Sequence, residues 1–131
     1  LGEAFFAIAI GLTAALAPNQ WVFAAAILHM SLADGFAAVI GTKFGKGTSY
    51  TVFGQYKTLV GTITFYLISS AIIAWLILFS GSGISNQAWL AIVWLPLLAT
   101  ITENIATSGF DNIAVPLVVI GALHMISQIY V

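Results

Sequence analysis

Seven residues of this 131-residue chain carry a formal charge: Glu3, Asp34, Lys43, Lys46, Lys57, Glu103 and Asp111. Their placement decides what chemistry the chain could support. Asp34 sits inside an apolar run, where an ionised carboxylate costs a few kcal/mol and normally faces protein or a water-filled cavity. Small residues surround it: Gly35 beside it, and Ala33, Ala37 and Gly41 at four-residue spacing, a series that lets helices approach closely. The segment Gly41-Thr42-Lys43-Phe44-Gly45-Lys46-Gly47 follows. Glycines let backbone N–H groups reach a phosphate, and lysines supply positive charge. The spacing is not that of a Walker A loop. Lys57-Thr58, with Gly61 three residues on, opens the next apolar run. Glu103-Asn104 and Asp111-Asn112 flank a polar connection containing Thr107, Ser108 and Gly109. Carboxylates are hard ligands for Mg²⁺, which takes one or two of them together with substrate phosphates. Asp34, Glu103 and Asp111 are therefore candidates to converge on a metal–nucleotide. Plainer alternatives stand beside each signal: a helix end reaching water at Asp34, a basic flexible loop at 41–47, a lysine snorkelling to headgroups at Lys57, and ordinary interfacial polarity at 103–112.

Other chemistry finds little support. His29 and His124 lie in apolar helical runs and are assigned structural roles. His29 is five residues before Asp34, about 140° away on a regular helix, so the two are not expected to share a face. Without cysteine there is no disulfide, thiolate metal site or cysteine nucleophile. No H-E-x-x-H, G-x-S-x-G or Ser/His/Asp constellation appears.

The elements that must position these residues follow from composition. Charged residues are 5% and hydrophobic ones 61% of the chain, with mean hydropathy +1.10. A soluble domain has roughly 25% charged residues; seven charges cannot furnish a polar skin. A soluble enzyme, a nucleic-acid binder and a disordered chain are excluded, leaving an integral membrane protein. Five apolar runs are expected to be helical: Ala4–Ala17, ending at the turn signal Pro18-Asn19-Gln20; about Trp21–Ile40; Leu59–Ser80; Ala88–Thr102; and Asn112–Val131. They are continuous rather than alternating, so spanning strands are not expected. Pro116 is placed early in the last run, where its missing N–H costs least. The fold class is all-α: a single polytopic transmembrane bundle over 1–131, about five spans, without an internal repeat. The chain begins at Leu1 without a signal peptide and is read as the C-terminal part of a longer one. All three lysines fall between Thr42 and Thr58, so the loop at about 42–58 is expected to be cytoplasmic. Gly81–Gln87 then faces outward, and Glu3 and the Thr102–Asp111 connection face inward.

Three blocks, in order, carry a resemblance. Asp34-Gly35-Phe36-Ala37-Ala38-Val39-Ile40-Gly41 with Lys43-Phe44-Gly45 resembles the D-G-x-A-x-x-x-G-x-x-[FW]-G signature of integral-membrane lipid kinases. This is the dolichol kinase, phytol kinase and CTP-dependent diacylglycerol kinase group, related to phosphatidate cytidylyltransferases. Lys57-Thr58-Leu59-Val60-Gly61 is similar to its K-[ST]-x-x-G block. Glu103 with Asp111-Asn112-Ile113-Ala114-Val115-Pro116-Leu117 is similar to its E…D-N-[IL]-[TA]-V-P-L block, closest to phytol and polyprenol kinases. Val60 stands where many members have Glu, and Thr42 where a basic residue is frequent.

The resemblance implies an enzyme: phosphoryl transfer from a nucleotide, CTP by family, to the hydroxyl of a polyprenol, phytol-like or diacylglycerol lipid at the cytoplasmic face. It implies Asp34 and Lys57 as catalytic residues. Gly41, Lys43, Gly45, Lys46, Lys57 and Thr58 would bind nucleotide, and Asp34, Glu103 and Asp111 would bind Mg²⁺. Gly35, Gly61, Asn104 and Asn112 would support them. The partners are then a lipid alcohol, a nucleotide and the bilayer, with no nucleic acid. Two alternatives remain open: a phosphatidate cytidylyltransferase making CDP-lipid, and an ion-coupled transporter with Asp34 as its ion site. A carrier would place polar residues near mid-span and often repeat itself; here the charges lie toward one face. A cytidylyltransferase must bind an anionic lipid with only three lysines.

Overall fold

The computed structural model describes the backbone of residues 2–17, 20–79, 90–106 and 110–130, and their side chains except at 2, 111 and 126–130. Leu1, Pro18-Asn19, Gly81–Gln87 with Ser80, Ala88 and Trp89, Thr107-Ser108-Gly109, where a turn is expected, and Val131 lie outside the described residues. So does the side chain of Asp111.

Helices dominate. The first, α1, covers Gly2–Leu16. Helix α2 (Gln20–Leu28), a π-helical segment (His29–Ala33) and α3 (Asp34–Phe44) form one continuous rod. Helix α4 covers Leu59–Phe79, α5 Ala91–Ile105 and α6 Asp111–Tyr130. Among the described residues two helices are long and apolar enough to cross a membrane: Gln20–Phe44, 25 residues, and Leu59–Phe79, 21 residues. At 1.5 Å per residue the shorter is about 31 Å long, against a hydrocarbon thickness of about 30 Å. Helices α1, α5 and α6 are shorter apolar helices. The described boundaries lie within a few residues of the expected runs.

The interior is built largely from small residues. Ala25, Ala26, Ala33, Ala91 and Ala99 are wholly buried, with Phe65, Ile73, Leu95 and Val119 filling the space between. Large apolar side chains point outward: Leu67 and Val93 are 60% exposed, and Leu78 56%. An apolar exterior around a core of small residues is the packing expected where lipid, not water, surrounds the helices. Trp21 and Trp75 lie ring to ring at 5.3 Å between the start of α2 and the end of α4. Phe5 and Phe110 meet at 5.0 Å, joining the start of α1 to the start of α6.

Three local features depart from the sequence expectations. The segment 42–58 is not simply a loop. Thr42, Lys43 and Phe44 complete α3, and an antiparallel hairpin follows, β1 (Ser49–Val52) with β2 (Gln55–Thr58), in the register Ser49↔Thr58 to Val52↔Gln55. Its two-residue turn has positive φ at both Phe53 (49°) and Gly54 (80°), the geometry that matches strand twist in tight hairpins. Next, α6 starts at Asp111, so Pro116 falls inside it and not in its first turn. The third is the π segment. The Asp34 N–H donates to the His29 carbonyl, five residues back. The wider turn carries His29 and Asp34 onto the border of one small void, shared with Phe65, Glu103 and Asn112. The 140° separation of a regular helix does not apply.

The expected close helix contact forms where α3 crosses α4. A Cβ added to Gly61 would lie 2.9 Å from Thr58 Oγ1 and 3.0 Å from the Ala37 carbonyl; one on Gly41 would lie 3.1 Å from Gly61 Cα. Gly61→Ala is therefore expected to destabilise the protein by about 1–3 kcal/mol through overpacking. At Gly35 a Cβ would meet nothing within 4 Å. Gly35→Ala is expected to be neutral or mildly stabilising, by up to ~1 kcal/mol from helix propensity. Detergent-solubilised unfolding of the two variants checks the contrast; equal losses would contradict the crossing.

Candidate active site

Thr58 shows how the chain builds the site locally. It is the residue before α4, and its Oγ1 accepts a hydrogen bond from the Gly61 N–H at 3.0 Å, capping the helix at the third position. Lys57, next to this cap in β2, is thereby held close to the start of the helix. Its Nζ donates to Glu103 Oε1 at 2.7 Å and to the Glu103 carbonyl at 3.0 Å. The two side chains are 14% and 13% exposed. This pair ties the hairpin to the end of α5, so the lysine segment and the Glu103 connection share one end of the bundle.

A second tie lies beside it. The Tyr50 hydroxyl donates to Asn104 Oδ1 at 2.7 Å and contacts Thr62 Oγ1 in a short hydrogen bond. Tyr50 thus links β1, α4 and α5. Tyr50→Phe leaves the Asn104 and Thr62 groups without this partner, at an expected cost of about 1 kcal/mol. A denaturation midpoint identical to wild type would show that the tie contributes nothing.

These elements enclose a cavity of about 280 Å³. Asp34, Ala37, Ala38, Gly41 and Thr42 line it from α3, Tyr56, Lys57 and Thr58 from the hairpin and cap, Gly61 and Thr62 from α4, and Glu103 from α5. Asp34 and Glu103 also border the adjoining small void, where Asn112 joins them from α6. Residues from three separate stretches of sequence therefore meet at one place. The volume lies near the lower end of ligand pockets, roughly 300–1,000 Å³.

Several candidate residues stand apart from the lining. Lys43 and Lys46 are exposed, and Lys43 Nζ lies over the Phe44 ring, 5.4 Å from its centre. Gly45 is buried against Thr58; its role is in packing the α3 end onto the α4 cap. Gly35 is exposed. Asn104 reaches the site through Tyr50. Among the described residues no three His, Asp or Glu side chains are arranged so that they could hold a metal ion together, the Asp111 side chain lying outside them. Asp34 and Glu103 are the carboxylate residues on this lining that could contribute to holding a hard cation such as Mg²⁺.

Tyr50, Tyr56 and Thr62 were not singled out from the sequence. Tyr50 and Tyr56 sit in a polar stretch whose alternation is only four residues per strand. Thr62 is one turn beyond Thr58 and Lys57, a spacing that could have pointed to it.

The chain is similar to a phytol kinase of Synechocystis sp., with 31% identity over 119 residues, 88% of this chain and 50% of that protein. It thus spans about half the length of this relative. No protein-family model and no solved structure matches the chain.

Proposed function

We propose that the chain is the site-bearing part of a membrane-embedded lipid-alcohol kinase of the phytol and polyprenol kinase type. It would transfer a phosphoryl group from a nucleotide, CTP by family resemblance, to the hydroxyl of a long-chain lipid. The observation that supports this most is the meeting of Asp34, Lys57 with Thr58 and Gly61, and Glu103 at one cavity. The similarity to a named phytol kinase supports the same reading, and the apolar exterior supports embedding in a membrane; we place the cavity at the cytoplasmic face of a bundle of about five spans because the three lysines lie at that end.

The proposed chemistry uses the chain's own groups. The lipid hydroxyl enters the cavity beside Asp34, whose carboxylate accepts its proton as the oxygen attacks the γ-phosphorus. The bond from the γ-phosphorus to the β–γ bridging oxygen breaks and the nucleoside diphosphate leaves. Lys57 holds the phosphates, and exposed Lys43 and Lys46 draw the anion toward the cavity. Asp34 and Glu103, with Asp111, would hold Mg²⁺, which neutralises phosphate charge when bound. Phosphoryl transfer asks mainly for such positioning and neutralisation. A cavity this small suits the polyphosphate and the reacting hydroxyl; the lipid tail stays among the helices and the bilayer.

The test is to incubate the purified protein with each labelled nucleotide and a panel of lipid alcohols. A phosphorylated lipid formed from at least one pair supports the proposal. No phosphorylated lipid from any pair would overturn it.

A further inference from the structure

We propose that the buried hydrogen bond between His29 and Ser69 anchors the π-helical segment and thereby positions the Asp34 carboxylate in the cavity. The role given to Asp34 rests on the function proposed above; the anchoring itself does not.

Both residues are wholly buried in a mainly apolar interior, where a polar group is costly unless it is hydrogen-bonded. Their geometry is fully used. His29 Nδ1 lies 2.8 Å from the Ala25 carbonyl, which can only accept, so Nδ1 carries the hydrogen. Nε2 of the neutral ring then accepts from the Ser69 hydroxyl at 2.6 Å. The Phe65 ring, one turn before Ser69 on α4, closes against the imidazole edge-on at 6.4 Å. The ring is fixed at both nitrogens and on one side.

His29 is also the first residue of the π segment, and its carbonyl receives the Asp34 N–H. One residue therefore pins the rod to α4 through its side chain and holds the widened turn through its backbone. Isolated π turns are uncommon and are often found at functional sites. Here the widened turn sets Asp34 on the same border as His29, facing the void shared with Glu103 and Asn112. A relaxed α-helical turn would rotate Asp34 away from Glu103. His29 and Ser69 are thus positioning residues, acting through Asp34 without lining the main cavity.

The test compares Ser69→Ala, which removes the partner of Nε2 at little change in volume, with Ser69→Thr, which keeps the hydroxyl. Backbone amide exchange over 29–34 should quicken in Ser69→Ala, while exchange in α6 stays as in wild type. Its kcat should fall roughly 10- to 100-fold, the range a small misplacement of a reacting group produces, with the nucleotide KM unchanged. Ser69→Thr should recover both readouts, and His29→Leu should reproduce the alanine variant. Unchanged exchange over 29–34 overturns the anchor. Faster exchange with wild-type kcat overturns the positioning of Asp34. If the wild-type protein phosphorylates no lipid, the function proposed above fails, and the exchange arm still decides the anchor alone.

Discussion

Asp34→Asn is expected to lower turnover by about 100- to 10,000-fold, the range for loss of a positioned general base. The amide matches the carboxylate in size, so the α3–α4 crossing beside it should survive and the protein should remain folded. The nucleotide KM should move less than kcat, because Lys57 still faces the phosphates. The measurement is a steady-state assay of lipid phosphorylation alongside an unfolding curve. Wild-type turnover in the folded variant would remove Asp34 from the chemistry. A loss of folding equal to the loss of activity would assign Asp34 a structural role.

Lys57 carries the second large effect, and it acts twice. With its side chain 14% exposed and its partner Glu103 13% exposed, the pair is mostly withdrawn from solvent. Removing one partner of a buried pair costs up to about 3–5 kcal/mol, because the other charge is left without compensation. Lys57→Met is therefore expected to destabilise the protein, and Glu103→Gln likewise. The double variant should be less destabilised than the sum of the two. Turnover should fall by roughly 100- to 1,000-fold in Lys57→Met, the scale of losing one charged donor at a developing charge. A double-mutant cycle in unfolding, run beside activity, separates the roles. Additive stabilities would mean that the ion pair contributes no coupling. Normal turnover in a folded Lys57→Met variant would mean that Lys57 does not meet phosphate.

The helices were legible because long continuous apolar runs leave the backbone little choice but to satisfy its own hydrogen bonds. Asp34, Lys57 and Glu103 were legible because so few charges exist that each must be accounted for. Ala33, Ala37 and Gly41 announced a close helix contact through their size, though not that Gly61 would be its partner. The π segment was not legible. The run His29-Met30-Ser31-Leu32-Ala33 contains no proline or glycine to mark a widened turn, and its cause, the bond from His29 to Ser69, spans 40 positions. The hairpin was missed for a different reason. Its turn places Phe53 at positive φ, a conformation that Asn, Asp or Gly would have advertised, and its strands are only four residues each. Lys43 and Lys46 drew attention by charge and glycine spacing, yet the end of α3 carries them outside the cavity lining.

The proposed reaction moves the terminal phosphoryl group of a nucleotide to a lipid hydroxyl. A cytidylyltransferase would bind CTP through the same kinds of groups, so binding does not discriminate, whereas the fate of each phosphorus does. CTP labelled separately at the γ- and α-phosphates, supplied with Mg²⁺ and a lipid alcohol or phosphatidate, gives the direct reading. Label passing to the lipid from the γ position, with CDP released, is the predicted result. Label passing only from the α position, with pyrophosphate released, would contradict it.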